Sequence, residues 1–402
     1  MKRLRQRETR KASAADARQY QRSPYLISYW FGPVTVVENY LKRKRFAAEG
    51  FVADVLSYCE RSHTVEEVCA NFPGAKPKVV RETIRSLEKY GLVDVSRGRT
   101  QKLDRHWEGW RHWSPAASYF HFSTKDVKYA EGEVEEFRRL RKLAAKSPLP
   151  ARKNATHAVQ AIRLSSVRRD GEFVRALEER RTWREFSKEP VHRARFDELL
   201  RLSFGVQGWA VIAGVGRLPL KTSPSGGALH PLEAYVAIRN VQGIARGIYR
   251  YDDQGHRLEW ARQELEKKEL VRLLAGQDWC SEAAAVVFLT AVFSRTQWKY
   301  DSARAYRVVL AEAGHVCQVF CLTATWLGLA PFCTMAFADS EIERALGVDG
   351  VEESVVYVMG VGARPNRAAT ADRLRIRNDS QKEQKGKAPP VPHSRRKAWG
   401  TV

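Results

Sequence analysis

The chain has 402 residues, 44% of them hydrophobic, and a net charge of +23 from 69 Lys and Arg against 46 Asp and Glu. That length and apolar content provide for two or three domains with real cores and exclude a wholly disordered chain. The longest apolar run, Ala283 to Phe293, is about half the ~20 residues that a membrane span needs, and the basic N-terminus lacks an apolar signal core, so a cytoplasmic protein is expected.

Residues 1–24 read as a disordered basic tail; residues 1–22 carry eight Lys and Arg against two acids. Residues 25–97 read as a winged-helix-like domain. Tyr25 to Tyr40 is rich in aromatic and β-branched residues around Gly32-Pro33, which predicts a hairpin. Phe51 to Cys59 predicts a helix, and Thr64-Val65-Glu66-Glu67 is a capping box that opens another. A further helix starts near Pro77, carries Val80, Ile84 and Leu87, and stops at Gly91 before a strand over Leu92 to Val95. Lys76, Lys78, Arg81, Arg85 and Lys89 decorate this last helix and its approach. They admit a DNA-binding reading, which nothing else in the chain supports, beside that of a solvated face.

Residues 98–159 form an aromatic segment and linker. Trp107, Trp110 and Trp113 are spaced by three, and Tyr119-Phe120-His121-Phe122 follows. Such clusters supply rigid contact area, either as packing between domains or as a channel wall. Glu133 to Lys146 predicts an exposed charged helix, and Ser147-Pro148-Leu149-Pro150 marks a linker. Residues 160–368 alternate helical and strand patterns, as in a mixed domain. Residues 369–402 form a second disordered basic tail with a Pro389-Pro390-Val391-Pro392 spacer. The six cysteines are scattered with no CxxC pair, although Cys317 and Cys321 share one helix face; they read as buried free thiols, and no metal is expected.

Three clusters in the large domain carry chemistry. Arg180, Arg181 and Arg184 with Thr182 offer guanidinium forks and a hydroxyl, the donor set a phosphate monoester takes. Ser223-Pro224-Ser225-Gly226-Gly227-Ala228-Leu229 lets backbone approach something flat or charged. Lys299-Tyr300 stands before an apolar helix of about 27 residues, Ser302 to Gly328; beside a redox centre a Lys and a Tyr can move a proton. A helix apolar all round is buried in a core or an interface, and Glu312 and His315 read as its satisfied polar residues. His230 beside Pro231 reads as structural before it reads as catalytic.

In this order the three clusters resemble those of the FMN-dependent nitroreductase superfamily, above all its SagB-type branch of peptide dehydrogenases related to thiazole- and oxazole-forming oxidoreductases. The resemblance implies an α+β fold, with a central, mostly antiparallel sheet flanked by helices, and FMN bound between the subunits of a homodimer. It assigns Arg180, Arg181, Thr182 and Arg184 to the FMN phosphate and ring edge. It lays Pro224, Ser225, Gly226, Gly227 and Leu229 along the ring, places Met335 and Ala336 over one flavin edge, and brings Arg364 to the phosphate; Arg367 is a weaker candidate in the same role. Lys299 and Tyr300 become the catalytic dyad. The expected reaction is dehydrogenation of a peptide-derived azoline, or a similar heterocycle, to an azole, with a cyclodehydratase as partner. An NAD(P)H-dependent nitro- or quinone reductase, and a redox-sensing DNA- or protein-binding module, are the alternatives. Nucleic acid and membrane are not expected partners.

Overall fold

The computed structural model describes residues 18–48, 50–96, 109–127, 132–146, 170–214 and 216–365. The expectations for Trp107, Arg367, the Ser147–Pro150 linker, most of the N-terminal tail and the whole C-terminal tail lie outside these residues.

The N-terminal elements are β1 (Gln19–Arg22), β2 (Leu26–Phe31), β3 (Val34–Asn39), β4 (Lys44–Ala47), α1 (Gly50–Tyr58), β5 (His63–Thr64), α2 (Val65–Asn71), α3 (Pro77–Tyr90) and β6 (Val93–Ser96). Strands β2, β3 and β4 form an antiparallel meander, while β1 lies between β5 and β6. The capping box forms as expected: Thr64 accepts the Glu67 amide, and Glu67 accepts the Thr64 amide at 2.7 Å. Gly91 ends α3 with φ 69°, a left-handed value that a side chain would disfavour. The core joins Val52, Val55 and Leu56 of α1 to Val68 of α2 and to Val80, Ile84 and Leu87 of α3.

One boundary differs from expectation. The tail expected over residues 1–24 does not extend to residue 24, because Gln19–Arg22 is a strand. Its basic neighbours mask the signal: Tyr20 is buried in the small core, and Arg18 pairs with Glu88 at 2.6 Å.

The aromatic segment holds α4 (Ala116–Ser123), followed by α5 (Gly132–Lys146). Trp110 and Trp113 are fully buried against His121, Phe122, Phe293 and Tyr306. They pack as glue and do not line a channel. Lys125 adds a buried ion pair with Glu343, at 2.5 Å.

The large domain comprises α6 (Glu172–Glu179), α7 (Arg193–Phe204), β7 (Gly208–Ile212), β8 (Gly216–Leu220), β9 (Leu232–Ile238), β10 (Gly247–Asp252), β11 (Arg257–Arg262), α8 (Lys267–Leu273), β12 (Ala285–Val292), α9 (Phe293–Gln297), α10 (Ala305–Trp326), β13 (Leu329–Thr334), α11 (Asp339–Leu346) and β14 (Glu353–Ala363). Six strands form one antiparallel sheet in the order β11-β10-β9-β12-β14-β13. Strand β12 is buried on both faces. Its residues alternate between two cores: Ala285, Val287, Leu289 and Ala291 face the core that includes α7 and α10, and Val286 and Phe288 face that of α8 and α11.

Helix α10 has 22 residues, fewer than expected, and it is not buried all round. By length and composition it would span a bilayer, yet one side packs on α6, α7 and β13. Its other side leaves Arg307, Ala311, Gly314, His315 and Gln318 exposed in the single chain.

Candidate functional site

The glycine bed is a single 3-10 turn, Gly226–Ala228, between β8 and β9. Three of its residues hold left-handed backbone: Gly227 at φ 71°, Ala228 at 55° and His230 at 42°. Such conformations cost on the order of 1–3 kcal/mol each outside glycine, and they persist only where the surroundings enforce them. Here a hydrogen bond does so, as the His230 amide donates to Ser225 Oγ at 2.9 Å.

Lys299 and Tyr300 lie directly on this bed. A Cβ at Gly227 would meet Lys299 Nζ at 2.9 Å and Tyr300 Oη at 3.1 Å. A Cβ at Gly226 would meet Val308 of α10 at 2.5 Å. The glycines are therefore what admits the amine and the phenol against the backbone. Tyr300 is held from behind, because the buried indole of Trp113 donates to its carbonyl oxygen at 3.0 Å.

Beneath the bed lies a buried acid–base group that joins Glu312, expected only as a satisfied polar residue of the helix, to His230, expected as structural. Glu312 is 3% exposed; its carboxylate accepts from the Ser225 hydroxyl and the Gly226 amide, and burial pushes its pKa up to about 7. His230 Nδ1 lies 3.7 Å from it, and burial with nearby Lys221 holds that imidazole down to about 4. Lys221 pairs with Asp253 at 2.5 Å. These groups line a cavity of about 20 Å³ together with Ser203 and Ser223, whose buried hydroxyls find no protein partner. The space suffices for one water with several polar neighbours. Above it an open cleft of about 390 Å³ runs along the exposed side of α10, from Pro224 and Ser225 to Arg304, Arg307 and His315.

The remaining predicted residues gather elsewhere. Arg364 donates to the carbonyls of Leu329 and Thr325 at 3.0 and 2.9 Å and stacks over Trp183, whose buried indole N–H has no partner. Arg184 stacks over Trp279. The Met335–Ala336 loop is pinned by Gln277, whose amide donates to Ala336 O at 2.9 Å and to Thr334 Oγ1 at 3.1 Å. Arg181 turns back to the carbonyls of Glu178 and Arg180, where the end of α6 leaves acceptors unpaired. Trp183 and Gln277 escaped the sequence reading, since each acts through an orientation that spacing does not encode.

Two separate groups of predicted site residues result. The glycine bed touches Val308, near the start of α10, and Arg364 touches Thr325, near its end. At 1.5 Å per residue these points lie about 25 Å apart along the helix.

The nitroreductase family profile matches residues 177–363. A nitroreductase homologue of Methanocaldococcus jannaschii is 32% identical over 188 residues, covering 47% of this chain and 89% of the relative. The trifolitoxin-processing protein TfxB of Rhizobium leguminosarum bv. trifolii is 31% identical over 150 residues, covering 36% of this chain; the chain thus spans well under half of that relative, 40% of its length. Among solved structures, a nitroreductase-type protein of Anabaena variabilis is 28% identical with a TM-score of 0.41, over 47% of this chain and 37% of that one. The E. coli microcin synthetase McbBCD complex, with truncated pro-MccB17 bound, gives 19% identity and a TM-score of 0.42, over 67% of this chain and all of the matched one.

Proposed function

The chain belongs to the nitroreductase family, and on that premise we propose that it is an FMN-dependent oxidoreductase that dehydrogenates a ring formed within a peptide. The observation that carries this reading is the contact of Lys299 and Tyr300 with Gly227. The donor chemistry fits FMN. One half-site supplies guanidinium groups, the Thr182 hydroxyl and the orphaned indole N–H of Trp183, which suit a phosphate and a ring edge. The other supplies a glycine turn, free of side chains at Gly226 and Gly227, of the kind that lets backbone lie along a flat ring.

In this assignment Arg180, Thr182, Arg184 and Arg364 face the phosphate, and Arg181 is left to the end of α6. Pro224, Ser225, Gly226, Gly227 and Leu229 lie along the ring, and Met335 and Ala336 cover an edge. When bound, FMN would supply hydride acceptance. Lys299 or Tyr300 takes the carbon-bound proton of the substrate, and the bed holds the two groups at that spot. Glu312 keeps the bed's hydroxyl and amide in place from below.

A peptide-derived azoline is the proposed substrate, because the bed has the Gly-Gly-Ala-Leu-His-Pro form of the SagB-type branch and because the relative TfxB is a trifolitoxin-processing protein. A cyclodehydratase would then supply the ring. The N-terminal helices and β1–β6 are read as a winged-helix-like module for peptide or partner recognition. The half-sites about 25 Å apart on α10, and the exposed side of that helix, support a homodimer in which each FMN is held by both copies.

The test is the visible spectrum of the purified protein with mass identification of the released cofactor, followed by turnover of a cyclised peptide. Bound FMN and azole formation are expected. A protein that neither carries nor takes up FMN overturns the reading, and bleaching by NADPH without peptide turnover favours a nitro- or quinone reductase.

A further inference from the structure

The fold brings together three cysteines that the sequence keeps apart. Cys317 and Cys321 lie one turn apart on α10, and Cys333 comes from β13, which packs beside that helix. Their sulfur atoms all lie within 4.8 Å of one another. Three atoms no farther apart than that share a centre at most about 2.8 Å from each. A cation there needs each sulfur to move by about 0.5 Å or less to reach an ordinary zinc–sulfur distance of about 2.3 Å. All three ligands sit on regular elements of the core, so the geometry is set in advance.

The Tyr357 hydroxyl of β14 hydrogen-bonds to Cys333 and Cys317, and the positive charge of Arg180 acts on Cys333 and Cys321, where it would offset negative charge gathered on the sulfurs. Cys317 and Cys321 are buried, whereas Cys333 is half-buried and gives a route inward. Among the described residues the remaining thiols, Cys59, Cys69 and Cys280, join no such group.

We propose that Cys317, Cys321 and Cys333 form a three-thiolate site for a soft divalent cation of the zinc or cadmium type, with Tyr357 as its outer hydrogen-bonding partner. Binding exchanges three thiol protons for one M²⁺: the protons go to solvent, no electrons move, and the site gains a net charge of −1 that Arg180 offsets. Carboxylate-preferring cations such as Mg²⁺ are excluded by ligand softness.

The experiment is a titration of the full chain with Cd²⁺ under anaerobic reducing conditions, reading thiolate-to-cadmium absorption in the ultraviolet. Saturation at one cation per chain is expected, with Zn²⁺ displacing the band and Mg²⁺ leaving it. Cys333→Ser and Cys321→Ala should each weaken binding by about 100-fold or more, and Tyr357→Phe by about 10-fold, in line with losses of ligand and outer-shell contacts. Cys69→Ser is the control and should bind as the parent does. Absence of a saturable band in the parent overturns the site whatever the variants do, as does retention of parent affinity in Cys333→Ser. The readout needs no flavin and no peptide turnover, so it stands or falls apart from the proposed activity.

Discussion

At Gly227 a backbone hydrogen takes the place of a methyl group, and that decides where Lys299 and Tyr300 sit. Gly227→Ala would place a Cβ 2.9 Å from the Lys299 amine and force alanine into left-handed backbone, a cost of about 1–2 kcal/mol. Turnover should fall by at least an order of magnitude while the chain still folds; unchanged turnover would separate the bed from the chemistry. Lys299→Ala should retain FMN and lose about 10²–10⁴-fold in turnover, the span of a proton-transfer group. A variant that turns over at the parent rate would remove Lys299 from the reaction.

Glu312 sets a pH dependence at the same scale. Its folded pKa of about 7 exceeds the ordinary carboxyl value of about 4.3, so its contribution to stability is full below that value and is lost as pH rises through 7. His230, held at about 4 against an ordinary 6.5, acts oppositely: its contribution is present above 6.5 and is lost as pH falls through 4. Between about 4.3 and 6.5 the two slopes oppose each other, and above 6.5 only Glu312 acts. Glu312→Gln should therefore gain on the parent in Tm from pH 6.5 to 8. Parallel Tm curves for the two proteins over that range would show that the carboxyl does not titrate there.

Among the elements, the aromatic segment does more than join the N-terminal part to the large domain. The Trp113 indole fixes the carbonyl of Tyr300 from a fully buried position. Trp113→Phe keeps most of the packing but leaves that carbonyl without its donor, at a cost of about 1–3 kcal/mol. Lower Tm together with reduced kcat at unchanged KM is expected, the mark of a positioning residue. A loss of stability alone, with kcat intact, would confine Trp113 to packing. Much at this scale was legible in sequence. The Thr64 capping box, Pro77 and Gly91 around α3, and the apolar run of β12 all fall close to where local chemistry places them. β1 was not legible, because four residues among arginines show strand character only through their pairing with β5 and β6.

For the whole molecule, the separation of the two half-sites on α10 makes a mixing test possible. Arg180→Ala and Lys299→Ala chains should each be inactive alone. If each FMN is held by two copies, a mixed dimer regains one intact site, and refolding an equal mixture should restore about a quarter of parent activity. No recovery, with dimers confirmed by sedimentation, would place both half-sites' functions within one chain.

By itself the sequence determined what local chemistry can specify: the helix caps, the buried central strand, the glycine turn and the candidate ligand types, since each depends on near neighbours or on period. Only the tertiary structure decided which groups meet. Lys299 reaches Gly227 across 72 positions, Trp113 reaches Tyr300 across 187, and Cys333 joins Cys317 and Cys321 through a strand packed on a helix. Those contacts depend on sheet order and helix packing, which arise from burial of the whole core and leave no mark in the spacing of any one segment.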